Sequence, residues 1–93
     1  MARPFKPRCV DFDPSVTYFK PRAMPLSKLK EIVLHTDELE ALRLCDLKNL
    51  DQIDAAKKLK VSRSTLQRIL SSARRKVSDA LIKGKAIKIE KGR

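Results

Sequence analysis

The sequence has few of the residues on which catalytic and metal sites depend. Its 93 residues include one histidine, His35, two glycines and two cysteines. Cys9 and Cys45 have no cysteine or histidine partner at metal-ligand spacing, so we expect structural or incidental roles for both, and neither a metal nor a cofactor. There is also no glycine-rich phosphate loop and no paired His/Asp/Ser arrangement. An enzyme is therefore the least expected class.

Long apolar runs are also missing. No stretch is long enough for a transmembrane helix, and the first residues lack the continuous apolar segment of a secretory signal. We therefore expect a cytoplasmic protein that does not associate with a membrane. A chain of this length allows one domain with one modest core.

Charge is abundant and unevenly distributed. Residues 1–30 carry seven bases and two acids, residues 31–54 two bases and seven acids, and residues 55–93 thirteen bases and two acids. The net charge of +11 is thus concentrated in residues 55–93, since the charges of the two earlier segments cancel. Such a concentration favours a surface that binds a polyanion, in this case nucleic acid, over a merely solvated lysine-rich surface.

The prolines divide the chain. All five lie in residues 1–30, where they exclude a long helix and favour extended or turning backbone. We predict a basic, proline-rich arm at 1–33, a helical domain at 34–83, and a basic tail or short strand at 84–93. The apolar run 32–34 and the alternation in 86–90 predict two short strands that pair with each other. The arm is expected to pack on the body through Phe12, Tyr18 and Phe19.

Three helices are predicted in residues 36–83. The first, 37–47, has Thr36 or Asp37 as its cap and acids in its first turns, as the helix dipole prefers. After a break at 48–50, Asp51 caps a second helix that ends near Lys60. The third runs from Ser62 to about residue 83, with Gly84 as the stop signal.

The third helix has an apolar stripe longer than a small body can cover. Its second half leaves Val77, Leu81 and Ile82 to meet another surface. We therefore expect a homodimer that presents two recognition helices to DNA half-sites.

Residues 52–71 have the pattern of a helix-turn-helix. Apolar or small side chains occur where two short helices must touch, on both sides of a break at 60–62. Ala56 is small where the helices cross, Val61 fills the inside of the turn, and the Ser62 hydroxyl can cap the next helix. Lys60 occupies the turn position that glycine normally holds, at a cost of about 1 kcal/mol if its backbone is left-handed.

The polar side chains at the start of the third helix are of the types that hydrogen-bond phosphates and base edges. We predict a DNA-binding set composed of Ser62, Arg63, Ser64, Thr65, Gln67 and Arg68, with Lys57, Lys58, Arg74 and Arg75 on the flanks. Lys76 and Lys83 are expected on the same phosphate-facing or solvated flanks.

Other charged residues are expected to have different roles. Glu40 and Arg43 are expected to form local electrostatic interactions within the first helix. Arg3, Lys6 and Arg8 either enter a minor groove or form a basic tail.

Several motifs carry a resemblance to known families. From residue 34 to 81 the chain resembles region 4 of bacterial sigma factors. More closely, it resembles a domain-of-unknown-function family of small predicted DNA-binding proteins, through MARP at 1–4, YFKP at 18–21, DELEALRL at 37–44, VSRSTLQRIL at 61–70, ARRKVSDAL at 73–81 and GKAIKIE at 84–90. The resemblance implies a winged or strand-supported helix-turn-helix that regulates transcription. Together with the helices expected from the residues, this gives a mainly α fold: a three-helix helix-turn-helix similar to sigma region 4, with an extended proline-rich arm and short flanking strands.

Three functions remain open at this point. The first is a sequence-specific regulator that binds double-stranded DNA and is associated with the nucleoid. The second is a sigma-region-like module that docks on RNA polymerase or a partner regulator through the acidic segment 31–54. The third is a non-specific nucleic-acid binder that relies on charge alone.

Overall fold

The computed structural model describes residues 10–91 and is mostly helical, with a small sheet at one side. The elements in chain order are strand β1 (Tyr18–Phe19), a 3₁₀ turn (Leu26–Lys28), strand β2 (Glu31–His35), helix α1 (Thr36–Leu42) continuing into a π-type turn (Arg43–Leu47), helix α2 (Gln52–Leu59), helix α3 (Arg63–Lys83) and strand β3 (Ala86–Glu90). The expectations for Arg3, Lys6, Arg8 and Cys9 lie outside the described residues.

Local capping signals set the ends of α2 and α3 as predicted. Asp51 caps α2 by accepting a hydrogen bond from the Asp54 amide at 2.8 Å. Lys60 follows α2 with left-handed backbone angles of φ 57° and ψ 45°. Ser62 caps α3 by accepting from the Thr65 amide at 3.2 Å, and Gly84 ends that helix at φ 69°.

The first helix has a different cap residue and a different last turn from those predicted, while its helical backbone ends at Leu47 and breaks at 48–50 as predicted. It begins at Thr36, and the residue before it is His35, whose amide donates to the Glu38 carboxylate at 2.9 Å. Neither Thr36 nor Asp37 is therefore the cap. The regular helix also stops at Leu42, because the backbone widens into a π-type turn in which the Lys48 amide donates to the Arg43 carbonyl at 2.9 Å.

The sheet has the strand order β1-β3-β2. β2 and β3 pair in parallel, with Leu34 opposite Ile89, which confirms the expected pairing of the two predicted strands. β1 pairs with β3 antiparallel, with Tyr18 opposite Lys88. The sheet therefore pairs residues of the predicted range 84–93 with residues of 1–33, and β2 crosses the predicted boundary between 33 and 34.

Two apolar clusters meet on α3. The larger joins α1, its π-type turn, α2 and the first half of α3, and consists of Ala41, Leu44, Ala55, Ala56, Leu59, Leu66, Ile69 and Leu70. The smaller packs the sheet on α3 through Leu34, Ala73 and Ile89. Each fully buried leucine contributes about 2 kcal/mol of transfer free energy. These contacts fix the orientation of α3, and with it the direction in which its outer face points.

The second half of α3 is less covered than the first. Leu81 is 75% exposed and Ile82 is 83% exposed, as the length of the apolar stripe predicted. Val77 differs, because it is half-buried. Of the arm residues, Phe12 lies with its ring 5.6 Å from the Arg43 guanidinium carbon, so this part of the arm contacts α1 and its π-type turn.

Candidate nucleic-acid interface

One face of α3 is polar and exposed over three turns. Because successive helical residues turn by about 100°, the outward face opposite the buried stripe contains positions three, four, seven and eleven residues apart. These positions, which we call the α3 polar face, are Ser64, Gln67, Arg68, Ser71 and Arg75, and all five are exposed. They line a shallow groove of about 590 Å³ together with Ser72 and Lys76.

Two of the predicted site residues act within the protein. The Ser62 hydroxyl accepts from the Thr65 amide and also lies 2.9 Å from the Thr65 hydroxyl. Arg68 in turn donates to the Thr65 hydroxyl over 3.5 Å. These contacts satisfy free amides at the start of α3 and hold the first turn of the polar face in place.

Within residues 10–91, Gln67 is the one member of the polar face whose side chain hydrogen-bonds to another helix. Its Nε2 donates to Oε1 of Gln52, the first residue of α2, over 3.0 Å. Gln52 is half-buried, whereas Gln67 is exposed. The contact ties the outer edge of α3 to the start of α2.

Arg74 and Arg75 were both predicted on the flanks of the DNA-binding set, but the structure places them on different sides of α3. Arg75 belongs to the polar face. Arg74 points to the side, where its guanidinium binds Asp46 through two hydrogen bonds of 2.7 and 3.1 Å. The Arg74 hydrogen bonds hold the pKa of the Asp46 carboxyl below its ordinary value. Arg74 therefore joins α3 to the π-type turn after α1.

The remaining basic residues that the sequence assigned to phosphate contacts or to the site lie outside the polar face. Arg63, Lys57 and Lys58 are exposed, the first at the start of α3 and the two lysines on α2. Lys83 is far along α3 and pairs with Asp79 at 3.3 Å.

The expectation for Lys76 is wrong. Lys76 is only 30% exposed, and its Nζ lies 2.8 Å from both a Glu38 oxygen and the Val33 carbonyl oxygen. The ammonium group thus binds β2 and α1 instead of facing solvent or a phosphate. Sequence spacing could not reveal this, because Glu38 is 38 positions away in the chain.

Glu38 is the centre of a partly buried polar network beside the polar face. Its carboxylate accepts hydrogen bonds from Lys76, from the Ser72 hydroxyl and from the His35 amide. Burial alone would raise the pKa of Glu38, but these hydrogen bonds outweigh it and leave the pKa below its ordinary value. The network lines a polar cavity of about 460 Å³ that also borders Arg68 and Thr65.

The acidic segment uses its carboxylates internally. Glu40 is 1% exposed and pairs with Arg43 at 2.6 Å, a local interaction of the kind expected from the sequence. Asp46 is bound by Arg74, and Asp51 caps α2. Together with Glu38, these groups stabilise the fold through partners within it, and Asp46 and Asp51 are exposed as well.

Sequence reasoning missed two residues of this surface, Ser71 and Gln52. Ser71 could have been found by helical spacing, since it lies seven positions after Ser64 and three after Arg68. The role of Gln52 depends on the crossing of α2 and α3 and has no local signal.

The chain as a whole, residues 1–93, matches the family model described as protein of unknown function DUF134. The chain belongs to this family. DUF134 relatives include a protein of Caldanaerobacter subterraneus subsp. tengcongensis, 54% identical over 92 residues that make up 99% of this chain and 78% of the relative. A Moorella thermoacetica protein is 56% identical, with 99% and 62% aligned. A Dehalococcoides mccartyi protein is 54% identical, with 99% and 79% aligned. All three are named only UPF0251 protein. No solved structure matches the chain.

Two further findings concern residues 10–91. None of the helices in this range combines the length and the apolar character needed to cross a membrane. No group of three or more histidine, cysteine, aspartate or glutamate side chains in the same range is arranged to hold a metal ion.

Proposed function

We propose that the chain is a sequence-specific DNA-binding protein that regulates transcription. In this proposal α2 and α3 form a helix-turn-helix, and α3 is the recognition helix. The observation that carries the proposal is the α3 polar face, where hydrogen-bonding side chains are exposed on a helix whose opposite side is buried. The major groove of B-DNA admits an α-helix, and arginine, glutamine and serine are side chains that hydrogen-bond base edges there.

The geometry between α2 and α3 supports a helix-turn-helix. The helices are separated by residues 60–62 alone, and the left-handed Lys60 backbone ends α2 and begins that turn. Val61 packs against the larger apolar cluster, and Ala56 is buried with it. These contacts hold α3 rigidly, and a rigid element is a precise scaffold for base contacts.

We assign the residues of the proposed site to two kinds of contact, one with base edges and one with phosphates. Gln67 and Arg68, with Arg63 and Ser64, lie on the first two turns of α3 and would contact base edges. Arg75 on the fourth turn, and Lys57 and Lys58 on α2, would contact phosphates. This assignment would make DNA binding strongly salt-dependent, because each neutralised phosphate releases counterions.

A homodimer would place two copies of α3 on two half-sites. The exposed Leu81 and Ile82 side chains are compatible with such a pairing, which stays a prediction. Docking on RNA polymerase through the acidic segment is the less favoured function, because Glu38, Glu40 and Asp46 are occupied by ion pairs within the fold.

Selection of bound fragments from a pool of random duplex DNA tests the proposal. We expect enrichment of one short sequence, bound with an affinity at least 10³-fold above that for scrambled duplex, which is the lower limit typical of specific regulators. Binding without enrichment would instead support charge-driven, non-specific association. Absence of DNA binding at low salt would remove the function class altogether.

A further inference from the structure

In the described part of the chain, one side-chain hydrogen bond joins α2 to the α3 polar face. It connects the amides of Gln52 and Gln67, and Gln67 is one of the side chains predicted to contact base edges. Gln67 Nε2 donates to Gln52 Oε1 over 3.0 Å, and the two residues are 15 positions apart. Gln52 is placed by the Asp51 cap directly before it, so its side chain starts from a fixed point at the beginning of α2. The pair therefore connects the two helices at the surface proposed to face DNA.

The contact leaves Gln67 with a defined set of free hydrogen-bonding groups. A carboxamide has two N–H donors and an oxygen with two lone pairs. One N–H is used by Gln52, so one N–H donor and the oxygen acceptor remain. In the major groove, adenine offers an acceptor at N7 next to a donor at N6, which matches this pair of groups. Guanine offers two acceptors, N7 and O6, and does not match it.

We propose that Gln67 reads an adenine in the major groove and that Gln52 is a positioning residue that presents the Gln67 amide to it. This inference rests on the proposed function and goes beyond it, because it names the base and assigns a role to a residue on α2. A glutamine without such a partner would lose more rotamer freedom on binding a base. Gln52 reduces that loss before DNA arrives.

The test uses the duplex obtained by selection and its single-base variants. Affinities are measured for the wild type, Gln67→Ala, Gln52→Ala and the double variant. We expect the wild type to prefer adenine at one position by about tenfold or more. Gln67→Ala should lose that preference, and Gln52→Ala should lose part of it without weakening binding to scrambled duplex. The double variant should be no worse than Gln67→Ala, since the two side chains act as a unit.

Gln52→Glu is the matched conservative variant. Its carboxylate keeps an acceptor for Gln67 Nε2, so it should keep the adenine preference even though its charge weakens binding to every duplex. Retention of the full preference in Gln52→Ala would overturn the positioning role. A Gln67→Ala variant that still prefers the same bases at every position would overturn the adenine assignment. A wild type that discriminates no sequence would overturn the proposed function itself, which separates that failure from the other two.

Discussion

Arg74 and Arg75 show how one position along a helix separates two roles. They are neighbours in sequence, yet about 100° of helical rotation directs Arg74 to Asp46 and Arg75 to the α3 polar face. We predict that Arg75→Ala weakens binding to selected and scrambled duplex alike. It should also reduce the slope of log affinity against log salt by about one unit, because a phosphate contact is lost.

Arg74→Ala is the matched control for this prediction. It removes the same charge, but its partner is Asp46, and an exposed ion pair contributes only about 0–1 kcal/mol to stability. DNA affinity and salt slope should therefore stay close to the wild type, with a small decrease in the free energy of unfolding. Equal losses of DNA affinity in both variants, measured across a salt series, would show that charge alone governs binding.

Among the elements, β2, α1 and α3 are joined at Glu38. Its pKa is lowered from an ordinary value of 4.5, so its ion pair stabilises the folded state fully above about pH 4.5 and is lost as the pH falls through the lower folded-state pKa. We predict that the free energy of unfolding of the wild type decreases over that acidic range. Glu38→Gln should be less stable at neutral pH by about 1–3 kcal/mol, because Lys76 and Ser72 lose a charged partner.

Denaturant unfolding of both proteins from about pH 7 to about pH 3 measures this contribution. The wild type and Glu38→Gln should converge as the pH falls, since protonation removes the same charge that the substitution removes. Glu40, whose pKa is also lowered, is present in both proteins and does not affect their difference. A constant difference across the whole range would contradict the role given to Glu38.

Element boundaries set by local chemistry could be predicted, and those set by distant contacts could not. Asp51, Ser62 and Gly84 are capping signals within a few residues of the backbone groups they serve, and the ends of α2 and α3 followed from them. The π-type turn at Arg43–Leu47 has no such signal. The pairing of β1 with β3 was missed for the same reason, because it joins residues about 70 positions apart in the chain.

The residues of the candidate site could likewise be predicted from the sequence only where a local signal identified them. Exposure of Ser64, Gln67 and Arg68 follows from helical periodicity, so these positions could be named from the sequence. The internal partners of Arg74 and Lys76 lie on other elements, and only the packing of α3 on α1 and β2 brings them together. For this reason the sequence did not show that Arg74 and Lys76 have ion-pair partners within the fold.

At the scale of the whole molecule, the net charge of +11 gives any polyanion an attraction to the protein. We propose more specifically that DNA binds at the α3 polar face and not at any basic part of the surface. Ser71 lies in the middle of that face, and Ser15 is another exposed serine, which lies outside α3. Ser71→Glu and Ser15→Glu change the net charge identically, so they separate the effect of position from the effect of charge.

The most direct test is the affinity of these two variants for the selected duplex at a fixed salt concentration. A carboxylate about 10 Å from a phosphate, at an effective dielectric constant of about 20, is repelled by roughly 1–2 kcal/mol, or about tenfold in Kd. We predict at least this loss for Ser71→Glu and less than about threefold for Ser15→Glu. Equal losses in the two variants, or no loss in Ser71→Glu, would contradict binding through the α3 polar face.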